Sequence, residues 1–303
     1  MELPASIHVE RLHGTDAEAV LVLVLLTACE TADTGRSDCE LADVLEQWHQ
    51  DGVELERDAW IARDAGGDAV GYAFVHGGRA DVQVHPRARG VGLGTRLRKL
   101  VEERAAERGV RELVQVVRGG SRPADRQLER TGYVPIHHAW RMERPLDVAP
   151  ASPHWPRGIT ERAFDGDGDG AAVLALLERS AARGPDGRPL ALDRFHDEHL
   201  AVDRLDPELC VLAYRRDLLV GAAICETWDE VDGTIEQLAV DPRERSRGIG
   251  RALLLAAFER LRERGLNAAV LHAGADEARE PPLYAAAGMR PVWRQTSWRK
   301  HLF

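Results

Sequence analysis

Hydrophobic positions recur in this chain with two alternating periods, about two residues and about 3.6, and the alternation runs through the sequence twice. In the first half, residues 7–11, 60–64, 70–76, 81–85 and 112–117 read as strands, the second and third joined across Gly66-Gly67. Helices are predicted over 15–29, opened by the capping box Thr15-Asp16-Ala17-Glu18, over 95–108, stopped by Gly109, and in a short turn before Gly132. The second half repeats the order, with strands at 159–163, 209–213, 219–225, 234–240 and 268–273 and helices at 170–182 and 251–264. Strands alternating with helices predict an α/β (α+β mixed-sheet) fold with helices on the sheet faces. Pro145, Pro150, Pro153 and Pro156 lie in a stretch without periodicity that reads as an extended linker. The expected organisation is a domain at 1–145, a linker at 146–158 and a second domain at 159–303.

The repeat extends to individual residues. A loop of the first half, Val84-His85-Pro86-Arg87-Ala88-Arg89-Gly90-Val91-Gly92-Leu93-Gly94, returns 156 positions later as Val240-Asp241-Pro242-Arg243-Glu244-Arg245-Ser246-Arg247-Gly248-Ile249-Gly250. The same offset pairs Arg104 with Arg260, Gly109 with Gly265 and Gly132 with Gly288. Between Gly71 or Gly221 and the following strand, the second copy is six residues longer, carrying Trp228, Asp229, Glu230 and Asp232. A strand, an arginine-rich glycine turn and a helix together suit phosphate: the turn aims N–H groups one way and the helix start favours an anion. A Walker loop needs Lys-Ser/Thr after its last glycine, whereas Gly94 precedes Thr95-Arg96 and Gly250 precedes Arg251-Ala252. A dinucleotide fingerprint needs three glycines directly after the strand, and the second copy has only Gly248 and Gly250.

Both loops do fit Gln/Arg-x-x-Gly-x-Gly/Ala, as Arg89-x-x-Gly92-x-Gly94 and Arg245-x-x-Gly248-x-Gly250. On these residues the chain resembles the GCN5-related N-acetyltransferases in both halves. The two-domain layout is similar to that of mycothiol-synthase-like members, an analogy of architecture. The resemblance implies two tandem acyl-CoA N-acyltransferase domains and acetyl-CoA as cosubstrate, with no metal. It places the pantetheine arm along Leu238, Ala239 and Val240 and the pyrophosphate on Arg245, Ser246, Arg247, Gly248, Ile249, Gly250 and Arg251. The matching positions of the first half are Val82, Gln83 and Val84, then Arg89, Gly90, Val91, Gly92, Leu93, Gly94 and Thr95.

Acetyl transfer to an amine needs a base for the ammonium, donors for the thioester oxygen and a proton for the departing thiolate. Glu236 lies on the strand entering the second loop, where period-2 alternation groups it with Leu238 and Val240. It is the candidate base, and at the 156 offset Ala80 faces it. An oxyanion donor is expected among the backbone N–H groups near residues 238–240, given a bulge that splays this strand. Leu283-Tyr284-Ala285-Ala286-Ala287-Gly288-Met289 resembles the family's Leu-Tyr-x-x-x-Gly-Phe segment, which implies that Tyr284 protonates the leaving thiolate. Leu128 stands opposite it and has no proton to give. Glu277 departs from the family's asparagine seven residues before that tyrosine, and Pro281-Pro282 start the last helix late. The expectation is a catalytic second domain and a first domain that keeps its loop without the proton-transfer residues.

Composition narrows this further. The chain has 303 residues, 44% hydrophobic and 30% charged, and its net charge of −10 disfavours a nucleic-acid partner. The longest apolar run, residues 20–26, is too short for a membrane span, and no signal sequence opens the chain, so a cytoplasmic enzyme is expected. Cys29, Cys39, Cys210 and Cys225 lack metal spacing, as do His137-His138. Asp165-Gly166-Asp167-Gly168-Asp169-Gly170 imitates a calcium loop but has Leu176 at the twelfth position, so it reads as an acidic helix start. Trp293 and Trp298 stand in the last apparent strand, and Trp228 with its acidic neighbours is a candidate wall for a cationic acceptor. The expected reaction is transfer of acetyl to a primary amine of a small molecule, by a monomer or homodimer. Alternatives are a protein N-terminal or lysine acetyltransferase, a longer-chain acyltransferase, or a non-enzymatic acyl-CoA-binding regulatory module.

Overall fold

The computed structural model describes residues 3–37, 39–120, 122–180, 205–227, 231–275 and 282–303. They group into two compact units, one of residues 1–136 with 295–303 and the other of residues 137–294. In the first unit β1 (His8–Arg11), β2 (Ala59–Arg63), β3 (Ala69–His76) and β4 (Arg79–Val84) form an antiparallel run. β4 then pairs in parallel with β5 (Glu112–Val117). Four longer helices accompany this sheet: α1 (Asp16–Thr34), α2 (Leu41–Trp48), α4 (Leu93–Glu107) and α5 (Arg122–Arg130), with a single turn, α3 (Leu55–Asp58), before β2.

β3 shows why its sequence is apolar almost throughout. Tyr72 and Phe74 pack with Val22 and Leu25 of α1, while Ala73 and Val75 pack with Leu93, Leu97 and Val101 of α4. A strand covered on both faces has no polar side to show. The capping box at the start of α1 forms as expected, with Thr15 Oγ1 accepting from the Glu18 N–H and the Glu18 carboxylate accepting from the Thr15 N–H.

The second unit repeats the plan. β7 (Thr160–Ala163), β8 (Val211–Arg215), β9 (Leu218–Thr227) and β10 (Asp232–Val240) are antiparallel, and β10 meets β11 (Ala268–Ala275) in parallel. Its described helices are α6 (Gly166–Ser180), α7 (Ile249–Glu263) and α8 (Pro282–Ala286). The acidic stretch at 165–170 opens α6, the Asp165 N–H donating to Asp169 at 2.8 Å, which is helix capping rather than a cation loop. Among the described residues, no helix is long and apolar enough to cross a membrane.

The last strands are exchanged. β6 (Val134–Pro145) follows α5 in sequence, yet its residues from His138 to Pro145 pair antiparallel with β11 of the second unit. The final strand of the chain, β12 (Arg290–His301), pairs from Thr296 to His301 with β5 of the first unit. The division at 146–158 follows the prolines but assigns both strands differently from this pairing. An edge strand is chosen by which backbone ladder it completes, and periodicity carries no record of that choice.

Candidate active site

In each unit a strand passes through one 3-10 turn into a helix that begins after a glycine. Asp241 caps the second turn, its Oδ1 accepting from the Arg243 N–H at 3.0 Å, and Gly248 starts α7 at φ 89°. In the first unit His85 Nδ1 accepts from the Arg87 N–H at 3.2 Å, and Gly92 starts α4 at φ 90°. Only glycine takes such a φ without strain. Neither glycine provides a side-chain cap, so the first-turn N–H groups, which have no intrahelical carbonyl, are presented at the helix start. This is the arrangement that holds an anion. Ser246 adopts φ 60° where the first loop has Gly90 at 83°, so the second loop carries backbone strain.

The motif arginines hold the loop shut on its own strand. Arg245 donates through Nε to the Val240 carbonyl at 3.3 Å and through Nη2 to that of Ser180 at 2.9 Å. Arg89 donates through Nε to the Val84 carbonyl at 3.0 Å and forms a bidentate pair with Asp33 at 2.7 and 2.8 Å. Their place in the loop is as the motif predicts, but both guanidinium groups are engaged in anchoring it. The second loop also presents the exposed Arg247 and Arg251, where the first has Val91 and Thr95.

Each loop adjoins a fork between parallel strands. In the second unit β10 pairs with β11 at Asp232, Gly233 and Thr234, and among the described residues the ladder stops there. On its other side β10 bulges against β9, because Ile235 faces Cys225 while Gln237 faces Ile224. Glu236 is the additional residue. It interrupts the alternation expected from sequence: Leu238 and Val240, opposite Ala223 and Gly221, lie on the α7 side with Ile235, and Glu236 does not share it. The pairing of the regular ladder is locally interrupted at this segment.

The first unit has no such bulge. β3 and β4 pair regularly from Gly71–Val84 to His76–Arg79. Arg79 stands opposite Val114, as Thr234 stands opposite Val270, although the loop register equates Arg79 with Ile235. Below the bulge the copies are thus out of step by one residue. Ala80, buried beneath α4, matches Ile235, buried beneath α7, while Asp81 opposite Phe74 matches Gln237 opposite Ile224, so Glu236 has no counterpart in the first unit. The expected opposition of Glu236 and Ala80 is corrected accordingly. Asp81 of the first unit accepts from Gln83 Nε2 at 2.8 Å.

Tyr284 lies on α8, half-buried against the core of the second unit, and burial raises its pKa above the ordinary 10.0. A phenol so shifted keeps its proton at neutral pH. α8 is held beside the loop. A Cβ at Gly250 would sit 3.4 Å from Leu283 and 3.7 Å from Val240, and Arg251 Nε donates to the Ala286 carbonyl at 3.2 Å. Leu128 occupies the corresponding position in the first unit, fully buried beside Tyr133 and Trp298.

Gly71 and Gly221, outside both motifs, set the distance between strand and loop helix. A Cβ on Gly71 would meet Leu97 at 2.9 Å and Leu93 at 3.0 Å, and one on Gly221 would meet Leu253 at 2.9 Å and Ile249 at 3.0 Å. Their recurrence before each glycine loop was the available signal. His272 and Trp293 approach with ring centroids 5.4 Å apart in the second unit, while Trp298 is core in the first. Trp228, Asp229, Glu230, Glu277 and Pro281 lie outside the described residues.

Comparison with known proteins agrees with this geometry. The model of the Acetyltransferase (GNAT) family matches residues 25–133 and 173–289. A mycothiol acetyltransferase of Saccharopolyspora erythraea is 30% identical over 214 residues, covering 65% of this chain and 70% of its own length. One from Sanguibacter keddieii is 35% identical over 219 residues, covering 64% and 67% respectively. Among solved structures, a GCN5-related N-acetyltransferase from Sphaerobacter thermophilus superposes with a TM-score of 0.81 at 30% identity, over 99% of this chain and 97% of that one. A tandem GNAT protein from the clavulanic acid biosynthesis pathway gives 0.69 at 18% identity, over 98% and 99%, a likeness of fold alone.

Proposed function

Since this chain belongs to the Acetyltransferase (GNAT) family and is an N-acetyltransferase, we propose that its donor is acetyl-CoA, its acceptor is a primary amine of a small molecule, and its second unit performs the chemistry. The observation that carries this reading is the bulge at Glu236, beside an open strand fork and a glycine-started helix, in the unit that also holds Tyr284. The open N–H groups at 248–251 suit a pyrophosphate, and the fork suits an extended pantetheine arm, which together supply a polarised thioester.

Glu236 takes the proton from an ammonium whose ordinary pKa near 10 would leave it unreactive. The freed amine attacks the thioester carbonyl, and a backbone N–H of the bulged segment meets the charge developing on its oxygen. The carbon–sulfur bond then breaks, Tyr284 donates its proton to the sulfur, and the nitrogen gives up its second proton through solvent, which restores the phenol and leaves a neutral amide. The regular β4 has no additional residue to match Glu236, and Leu128 stands where the second unit has Tyr284. The relatives named for mycothiol favour a small-molecule acceptor over a protein one.

An acceptor screen read by thiol release from acetyl-CoA tests the reaction. Glu236→Gln and Tyr284→Phe are each expected to lower kcat by about tenfold or more while leaving the KM for acetyl-CoA unchanged. Wild-type turnover in both variants would remove the assignment, and release from longer acyl-CoA donors alone would remove the choice of acetyl.

A further inference from the structure

We propose that the last turn of α1 is a latch across the mouth of the first unit's fork, which holds a phosphopantetheine arm out of that unit. The proposal rests on the acyl-CoA reading of the two loops. In the first unit the parallel ladder ends at Ala80 and Gln115, and from there β4 continues to the glycine loop while β5 continues to Arg118 and Gly119. The end of α1 grips both lips of that opening. On the β4 side, Asp33 forms the bidentate pair with Arg89. On the β5 side, Arg118 pairs with Glu30, whose other carboxylate oxygen accepts from Ser37 Oγ at 2.8 Å. The backbone itself closes up there. Gly119 sits at φ 77°, and a Cβ on it would run into the Asp33 carbonyl, so the end of β5 lies directly against the helix turn. An arm leaving the helix start of α4 for the fork must pass between these two lips.

The second copy keeps a tie on one lip alone among the described residues, where Arg245 donates to the Ser180 carbonyl at the end of α6 instead of forming a charge pair. Aligned on the buried positions Val22 with Val173 and Leu25 with Leu176, the places of Glu30 and Asp33 fall on Ala181 and Gly184. Arg118 corresponds to Gly274. The cradles also differ in where their charge sits, with Val91 and Thr95 where the second has Arg247, paired with Glu244, and Arg251. The pairs are partly exposed, Arg89 at 38% and Asp33 at 21%, so they are screened and individually modest. Two charge pairs and a backbone contact acting together leave the open form as a minor population, and apparent affinity falls by that fraction.

Equilibrium dialysis of the whole chain against CoA tests the latch. Wild type is expected to bind one CoA per chain, and Gly250→Asp, which sets a carboxylate in the second cradle without crowding it, to bind none. The double variant Glu30→Gln/Asp33→Asn is expected to bind two, its first-unit affinity rising by about tenfold or more. Adding Gly94→Asp to that variant returns the count to one. Two CoA bound by wild type, one of them lost in Gly94→Asp, overturns the latch while leaving the reading of the second unit intact. One CoA bound by the double variant at saturation likewise overturns the latch alone. No binding by wild type overturns the acyl-CoA reading and the latch with it.

Discussion

His85 and Asp241 hold the same position before the two cradles, each accepting the N–H two residues on, but they do so with different proton chemistry. His85 accepts only as a neutral ring, and burial, then Arg87 and Arg89, push its pKa below 6.5. The folded state therefore binds fewer protons than the unfolded chain. The stability this contributes is present above 6.5 and lost as pH falls through the lowered folded value. Asp241 is held below 3.8 by the Arg243 N–H first and by Arg179 as well, so the same sign applies in a more acidic window. Between these windows the first loop is expected to loosen while the second stays closed. Amide exchange at Arg87 should rise on acidification relative to that at Arg243, and His85→Asp should abolish the difference. Equal behaviour of the two amides would refute the argument.

At the scale of elements, the strand under each loop helix is matched to it by one missing side chain. Gly71→Ala and Gly221→Ala each place a methyl about 3 Å from two core side chains of the helix above, Leu97 with Leu93 and Leu253 with Ile249. Each is expected to cost about 1–3 kcal/mol in urea unfolding. Gly94→Ala, whose new methyl would have 3.5 Å to its nearest neighbour, is expected to stay within about 0.5 kcal/mol of wild type. The bulge in β10 acts at the same scale. A single additional residue turns Glu236 away from the α7 side, whereas the unbroken β4 keeps Ala80 beneath α4 and has no residue to match Glu236.

At the scale of the molecule, each unit is completed by a strand from the far end of the other half's sequence. Trp298 is buried with Leu128 and Tyr133, so the core of the first unit depends on a residue near the end of the chain. Trp298→Ala is expected to destabilise the first unit by about 3–5 kcal/mol. Hydrogen exchange should then accelerate in β5 and α5 and remain slow in β10. The fragment 1–145 has the residues of a full repeat but lacks β12, leaving β5 with an open edge. It is expected to aggregate or remain unfolded, and a monomeric, cooperatively melting fragment would count against the importance of the exchange.

The sequence by itself determined the two repeats, the order of strands and helices, the capping box at Thr15 and the glycine-started helices. All of these depend on short-range periodicity and on residues whose backbone preferences are local, such as Gly92 and Gly248 at φ near 90°. The strand carrying Glu236 and the helix segment carrying Tyr284 were legible for the same reason. Only the tertiary structure decided which ladder each final strand completes, because the alternation that marks β6 and β12 as strands carries no record of the partner each pairs with. It alone decided the bulge as well. The shift from Cys225–Ile235 to Ile224–Gln237 is a property of two strands together, and it leaves Glu236 with no first-unit match where the loop register had set it against Ala80. It also revealed that the motif arginines are spent on anchoring their own loops and that Asp33 and Glu30 reach the two lips of the first fork, contacts between residues more than fifty positions apart that no local pattern encodes.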